Sequence, residues 1–391
     1  MNSRLILLIV SLLQVTEGIE VDLYAPSFPK IMEYFKTKEK YIEWSLSINF
    51  LGFFLSGLVS SFISDNYGRR KIVIFGCYTF LVATILCIFS PNIWFFIFCR
   101  FLQGISISAA AMVSYAMITD IYHGAQRLRI MTMLNSLITL SIAAAPIFGT
   151  YLAVSYGWQS NFVVITIFAV LSCLGVHYLP ETLEVTNNKS FQIKQLFKDY
   201  YRLATNREMF QIIFSICFLL TPYWIFIGTS SLLFMNELNV SPEQYGYYQG
   251  FVAMSYGVLS LLSSYYITRI NYNSGLRVSV IVALIAASLL FIDSIMFKDN
   301  AFVITCLIVI LSISMVLPVN LLYARVYEMI PEMRATAGAL AWSARVFVSS
   351  IFMSIVGVVY NGTLFPIAAC ILLCIAVAFP VVFRLTKYEV R

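Results

Sequence analysis

The sequence predicts an all-α polytopic membrane protein, and three observations carry that reading. Of 391 residues 60% are hydrophobic and only 11% charged, with a mean hydropathy of +0.85; a soluble domain needs far more polar residues to cover its outside. Apolar runs of about 20 residues recur, long enough to cross a hydrocarbon core of roughly 30 Å at 1.5 Å per residue. The runs are continuous, as in 72–89 and 365–379. That excludes the alternating strands of a membrane barrel, and open sheets are excluded because lipid cannot satisfy their edges.

Taken in order, the first helix is expected over 5–28. It follows Arg4 but runs on through Glu17, Glu20 and Asp22 to a Pro-containing end, unlike a cleaved leader. Further helices are expected over 42–64, 72–90, 93–119, 130–155 and 160–179. One long polar stretch then follows, with Lys189, Lys194, Lys198, Arg202 and Arg207 and a Thr-Asn-Asn tract, which reads as a linker. The remaining helices are expected over 210–235, 244–268, 276–296, 301–328, 335–360 and 364–384. The organisation is therefore a six-helix bundle over 1–180, a cytoplasmic linker over 181–209 and a second six-helix bundle over 210–391.

Twelve spans place both termini on the cytoplasmic side. Nineteen of the 25 Lys and Arg then gather there: Arg4, Arg69, Arg70, Lys71, Arg127, Arg129, the five linker cations, Arg269, Arg277, Arg325, Arg334, Arg345, Arg384, Lys387 and Arg391. The outside receives Lys30, Lys36, Lys38, Lys40 and Lys298, and Arg100 lies within a helix.

The net charge of +6 is scattered over short loops, so nucleic acid is not an expected partner. All eight cysteines (Cys77, Cys87, Cys99, Cys173, Cys217, Cys306, Cys370 and Cys374) fall in apolar runs and read as small hydrophobes. The two histidines, His123 and His177, stand far apart, and no phosphate-binding loop is present. No catalysis, cofactor or metal site is expected.

The chemistry gathers at charges inside the spans. Glu17, Glu20 and Asp22 occupy the outer half of the first helix, where a central charged residue costs roughly 2.5 to 3.5 kcal/mol on insertion scales. Glu17 and Glu20 share a face while Asp22 projects roughly 200° from Glu20, so at most two look into one cavity; Asp22 and one glutamate are the expected pair. A carboxyl buried without a cation disfavours its charged form, which suits it to exchange protons. Arg100 opens the fourth helix in Arg100-Phe101-Leu102-Gln103-Gly104 and needs carboxylates, carbonyls or water inside the bundle. Ser61 to Lys71 forms a short basic turn around Asp65, Gly68, Arg69 and Arg70. In the fifth helix Ser141, Ala145 and Gly149 form a small-residue face interrupted by Pro146, with Gly246 and Gly250 of the eighth helix as a packing partner. Tyr24, Asn49, Tyr115, Tyr223, Trp224 and Asn320 are polar or aromatic groups at mid-membrane depth, the candidate lining of a substrate cavity.

The turn Asp65-Asn66-Tyr67-Gly68-Arg69-Arg70 resembles the signature loop of the major facilitator superfamily, although Ser61 and Asn66 replace the usual Gly and cation. The resemblance implies the major facilitator fold and a cytoplasmic latch, with Asp120 meeting Arg69. It also implies that Arg100 shapes the cavity near a coupling carboxylate. Ala144 to Thr150 resembles the antiporter motif of drug exporters, with Ala145 and Thr150 as departures. With Asp22-Leu23-Tyr24-Ala25-Pro26, Gly157-Trp158 and Pro180-Glu181-Thr182-Leu183, the first half is similar to the bicyclomycin-resistance (Bcr/CflA) branch of drug:proton antiporters. The expected function is proton-coupled export of drugs or other amphipathic small molecules by antiport. The expected setting is the bacterial inner membrane, with a small-molecule substrate, protons and the lipid bilayer as partners, and the chain working as a monomer. An importer or exchanger of a specific metabolite or siderophore would use the same fold. A membrane enzyme or sensor would require a catalytic constellation or soluble domain that the sequence lacks.

Overall fold

Helices account for nearly all of the computed structural model, which describes residues 3–183, 193–266, 271–296, 300–330 and 333–386; no strand occurs among them. Lys189, Arg269, Lys298, Lys387 and Arg391, used above in the charge asymmetry, lie outside the described residues, as does 184–192 of the linker. In chain order the helices are α1 (Ser3–Asp22), α2 (Phe28–Phe35), α3 (Glu39–Tyr67), α4 (Arg69–Ile88), α5 (Ile93–Ile121), α6 (Gly124–Tyr156) and α7 (Gln159–Val176). Then come α8 (Ile193–Thr205), α9 (Arg207–Ser231), α10 (Pro242–Tyr266), α11 (Tyr272–Met296), α12 (Ala301–Met329), α13 (Arg334–Val359) and α14 (Leu364–Leu385).

Ten of these are long and apolar enough to cross a membrane. The long helices α1 and α10 fall short because of what they carry: Glu17, Glu20 and Asp22 on α1, and Gln244, Gln249 and a run of Tyr and Ser on α10. The protein is inside-out relative to a soluble one. Phe75 is 72% exposed and Leu174 61%, whereas Arg100 is 0% exposed and Asp22 1%. Lipid solvates the outer apolar side chains, so the polar ones are driven inward.

Two expectations about elements change. The first helix does not run to residue 28: it stops at Asp22, gives way to a 3-10 turn over Ala25–Ser27, and restarts as the short α2. Pro26 and Pro29 sit at the second positions of these two elements, within the first turn, where a missing N–H costs least. The polar linker, for which no helix is expected, contains α8, an amphipathic helix that buries Leu203 and leaves Phe197 and Tyr201 outside. Tyr200 Oη donates to the carbonyl of Leu58 at 2.9 Å, tying α8 to the C-terminal half of α3.

In the first half α1 packs on α5, α6 and α7, and α5 lies between α3 and α4. In the second half α9 packs on α12, α13 and α14, while α11 lies against α12 and α14. Two long seams join the halves, α3 along α13 and α6 along α10. The first is laced by Ser350 Oγ donating to the carbonyl of Ser47 at 2.7 Å, and by Phe54 stacked on Phe347 at 4.5 Å. The second is a small-residue seam: a Cβ at Gly246 would stand 2.9 Å from Thr150 Oγ1, and one at Gly250 2.8 Å from Ile147.

Candidate functional site

The site is built around Arg100, eight residues into α5 and fully buried. Gly104 lies one turn on, so close to the backbone of Asn49 that no larger residue fits, and Gly52 returns the favour on α3, 2.6 Å from the Phe101 carbonyl for an added Cβ. This crossing lets Asn49 Nδ2 donate both to the Arg100 carbonyl at 2.9 Å and to Glu20 Oε1 at 3.0 Å. Arg100 forms an ion pair with Glu20 and donates to Gln103 Oε1 at 2.7 Å; Gln103 passes the chain on to Thr84 Oγ1 at 2.8 Å. The guanidinium lies 4.1 Å from the ring centre of Tyr24, whose hydroxyl meets Ser45 at 3.3 Å. An always-charged group in the membrane interior is thus held by one carboxylate, one amide and one aromatic face. Its Nε and Nη2 have no hydrogen-bond partner among the described residues.

The three carboxylates of α1 separate into different environments. Glu20 holds the arginine. Asp22, at the end of α1, is equally buried, yet neither of its oxygens has a hydrogen-bond partner among the described residues, and it lies within electrostatic reach of Tyr223 and Tyr245 in the second half. Glu17, half-buried, lies within reach of Arg345 on α13. The expectation that Asp22 and one glutamate face a shared interior thus meets an arrangement in which Glu20 is spoken for and Asp22 is bare.

Six residues were expected to line a substrate cavity. Tyr24 and Asn49 instead belong to the Arg100–Glu20 cluster, fully buried beneath it. Tyr223 and Trp224 sit where the halves meet: Trp224 is 4.7 Å from Phe50 of α3, and Tyr223 is 5.9 Å from Tyr256. Tyr115 donates to Asn135 Oδ1 at 3.2 Å, and Asn320 donates to Ser263 at 2.8 Å, within their own halves. The sequence also misplaced Arg345, counted among cytoplasmic cations; it lies midway along α13. Two buried groups escaped notice altogether. Glu43, 1% exposed in α3 and pressed against Gly357 of α13, and Gln249 in α10 follow polar stretches in the sequence, so nothing there marks them as buried.

Around the short turn, Arg69 Nε donates to Asp120 Oδ2 at 3.2 Å, and Arg69 pairs with Asp65 at 2.6 Å. Gly68 takes φ +98°, and the Glu181 carboxylate sits where its side chain would be, accepting from the backbone N–H of Arg69 at 2.9 Å and of Arg70 at 3.2 Å. Glu181 therefore caps the start of α4, where an anion meets unpaired amides and the positive end of the helix. Arg70 donates to the His177 carbonyl at 2.9 Å and Thr182 Oγ1 to Asp120 at 3.0 Å. In α6, Gly149 abuts the carbonyl of Leu23 and the Pro146 carbonyl accepts from Thr150 Oγ1 at 2.8 Å, so the small face of Ala145 and Gly149 receives the broken end of α1.

At the end of the molecule that carries α2, Leu46 of α3 lies 3.5 Å from where a side chain at Gly228 of α9 would begin, and α2 meets the π turn Leu232–Glu237. The halves are thus in contact at that end. The apolar recess between α3 and α13, about 640 Å³ and lined by Trp44, Ile48, Phe347 and Val358, is a groove on the outer wall rather than part of this interior.

Comparison with known proteins gives consistent results. The Major Facilitator Superfamily model matches residues 10–354. The chain is 22% identical, over all of its length and 98% of the relative's, to a bicyclomycin resistance protein homolog of Haemophilus influenzae. It is 26% identical over 58% of its length to the chloramphenicol resistance protein CraA of Acinetobacter baumannii, covering 54% of that protein. Among solved structures, a bacterial homolog to the human lysosomal transporter Spinster, in an inward-facing and occupied conformation, superposes with a TM-score of 0.79 at 14% identity, covering 98% of this chain and 96% of that one. A D-xylose-proton symporter superposes with a TM-score of 0.75 at 12% identity, covering 97% and 98%.

Proposed function

Starting from a chain that belongs to the Major Facilitator Superfamily and is therefore a membrane transporter, we propose that it is a proton-coupled exporter of drugs or other amphipathic small molecules, working by antiport. The carrying observation is the bare, buried Asp22 beside the Glu20–Arg100 ion pair at the point where α1 breaks. A carboxylate with no partner is neutralised at low cost by a proton, whereas one already held by a guanidinium is not. Asp22 is accordingly the proton carrier, and Arg100 with Glu20 fixes the end of α1 that presents it. The resistance proteins among the relatives support export of small molecules.

In this reading a six-helix unit over 1–180 and another over 210–391 rock about the α3–α13 and α6–α10 seams, joined by the linker 181–209. Proton entry at Asp22 from outside accompanies substrate release there, and proton loss to the cytoplasm readies the site for the next molecule. Asp65, Gly68, Arg69, Arg70 and Asp120 hold the cytoplasmic ends of α3, α4 and α5 together as one moving part. The twelve long helices span the bacterial inner membrane with both termini inside, and the chain works as a monomer. A potential of roughly 150 mV supplies about 3.4 kcal/mol per charge, enough for a gradient of a few hundredfold.

The test is accumulation of a panel of amphipathic antibiotics and dyes in exporter-deficient cells carrying this protein or its Asp22→Asn variant, with and without a protonophore. Lower accumulation that both the protonophore and the substitution abolish is the expected result. Export that survives in Asp22→Asn but not with protonophore would move the coupling role to Glu17 or Glu20. No effect on any compound, with the protein present in the membrane, would turn the reading to a dedicated metabolite carrier.

A further inference from the structure

Near the start of α3, Tyr41 and Trp44 gather with Trp94 of α5, their ring centres 5.1 to 6.3 Å apart, and Trp94 is 57% exposed. Tryptophan and tyrosine collected at one end of membrane helices mark the headgroup level, where an amphipathic ring sits between hydrocarbon and water. Lys40 stands at that level, its Nζ 4.9 Å from the ring centre of Tyr41 and 5.9 Å from that of Trp44. It forms no ion pair among the described residues. Of the two neighbouring acids on α3, Glu39 directly precedes it, and Glu43 is buried in the seam against Gly357 of α13.

Trp44 also lines the head of the 640 Å³ recess between α3 and α13. The two helices run antiparallel there, Glu43 against Gly357 and Phe54 against Phe347, so the recess descends from Trp44 and Val358 past Ile48 and Ile351 to Leu51 and Phe347. Val358 and Phe347 are eleven residues apart on α13, roughly 16 Å at 1.5 Å per residue, close to half of a hydrocarbon core of roughly 30 Å. The recess therefore has the depth of one leaflet. Its lining is apolar apart from Ser350 and Ser354, and Ser350 donates across the seam to the Ser47 carbonyl. Ile351 and Val358 are 41% and 61% exposed, continuous with the lipid-facing surface of the bundle.

We propose that this recess binds one bilayer phospholipid, with an acyl chain lying along the groove and the phosphate held by Lys40. The apolar length matches a leaflet-deep chain, and the one cation at its head lies where the phosphate of such a lipid stands. A chain in the groove touches side chains on two walls, which multiplies its dispersion contacts relative to a lipid on a convex helix face. The ammonium of Lys40 reaches the headgroup layer on an apolar stem and meets the phosphate as a charge-assisted hydrogen bond. One wall belongs to α3 and the other to α13, so the lipid bridges the two halves at their seam and should stabilise the folded chain by mass action. The site is separate from the Arg100–Glu20 cluster and stands whether or not transport is driven by protons.

The probes are dioleoyl phosphatidylglycerol and a monogalactosyl diacylglycerol with the same acyl chains, which lacks the phosphate. Each is added to the purified, delipidated full chain in detergent, and bound lipid is read by native mass spectrometry alongside the thermal midpoint. The wild type is expected to retain the phospholipid about fivefold more strongly than the galactolipid, the worth of one basic residue at a membrane surface. Lys40→Gln should erase that preference and Lys40→Arg should keep it. Ile351→Trp, at an exposed position that fills the recess, should lower retention of both lipids; the phospholipid should then raise the midpoint of the wild type but not of this variant. If Ile351→Trp lowers the midpoint of the lipid-free protein, Val358→Trp makes the same test from the head of the groove. Equal retention of the two lipids by the wild type, an unchanged preference in Lys40→Gln, or full retention when the recess is filled would each overturn the assignment. Filling the recess with no effect on lipid but a loss of dimers in the same spectra would overturn it in favour of a second copy of the chain.

Discussion

The three carboxylates of α1 have one chemistry and three fates, and substitution separates them. Glu20→Gln leaves the Arg100 guanidinium buried without its counter-charge, and breaking such a pair costs about 3 to 5 kcal/mol. The thermal midpoint of the purified protein should fall sharply. Asp22→Asn replaces a carboxyl that no side chain holds, so the midpoint should stay level or rise while proton-driven transport is lost; a large destabilisation by Asp22→Asn would refute the division of labour. Arg100→Lys keeps the charge but cannot serve Glu20, Gln103 and the Tyr24 face together, and transport should drop at least tenfold in folded protein. Sequence made all three acids conspicuous, since each is a charge in an apolar run. It could not say which one Arg100 takes: the two lie 80 residues apart, and their meeting depends on how α3 and α5 cross at Asn49, Gly52 and Gly104.

Among the elements, that crossing is the most demanding contact in the first half. A methyl group at Gly104 would run into the Asn49 backbone, so Gly104→Ala should push α3 from α5 and cost about 1 to 3 kcal/mol, read as a lowered midpoint in a thermal denaturation series. Gly175→Ala is the milder contrast, because an added Cβ meets only the Ile9 side chain at 3.3 Å, which must give by a few tenths of an ångström, and the midpoint should fall less. Outside the spans, the tether from α8 to α3 rests on a Tyr200 hydroxyl that burial pushes up from 10.0 to about 12. A group raised in the folded state contributes fully below its unfolded value, so the tether is intact at neutral pH and weakens only as pH climbs from about 10 towards 12. Tyr200→Phe should therefore slow transport equally at pH 6 and pH 8; a pH-dependent defect over that range would contradict it. Helix positions were legible from apolar runs because lipid imposes a length. The break at Asp22 and the helix α8 were not: one depends on where Gly149 receives the Leu23 carbonyl, the other on an amphipathic face too short and polar to read as a span.

For the whole molecule, an exporter that rocks must open the contact between Leu46 and Gly228 once per cycle. A Leu46→Cys/Gly228→Cys pair, oxidised in membranes, should stop transport and recover it on reduction, with each single variant unaffected; full activity of the cross-linked protein would argue against rocking about the two seams. The sequence by itself determined that the solvent is lipid, that the elements are helices, roughly where each begins and ends, and that charges worth explaining lie in α1 and α5. These follow from composition and local length, which lipid reads directly. Only the tertiary structure decided which charges are partnered. It set Tyr24 against Arg100 and Asn49 against Glu20, left Asp22 bare, and drew Arg345 from the count of cytoplasmic cations into the middle of α13. The physical reason is that partnering depends on which helices cross and at what depth. That is fixed by close approach at a few glycines and by long-range packing, neither of which leaves a periodic trace along the chain.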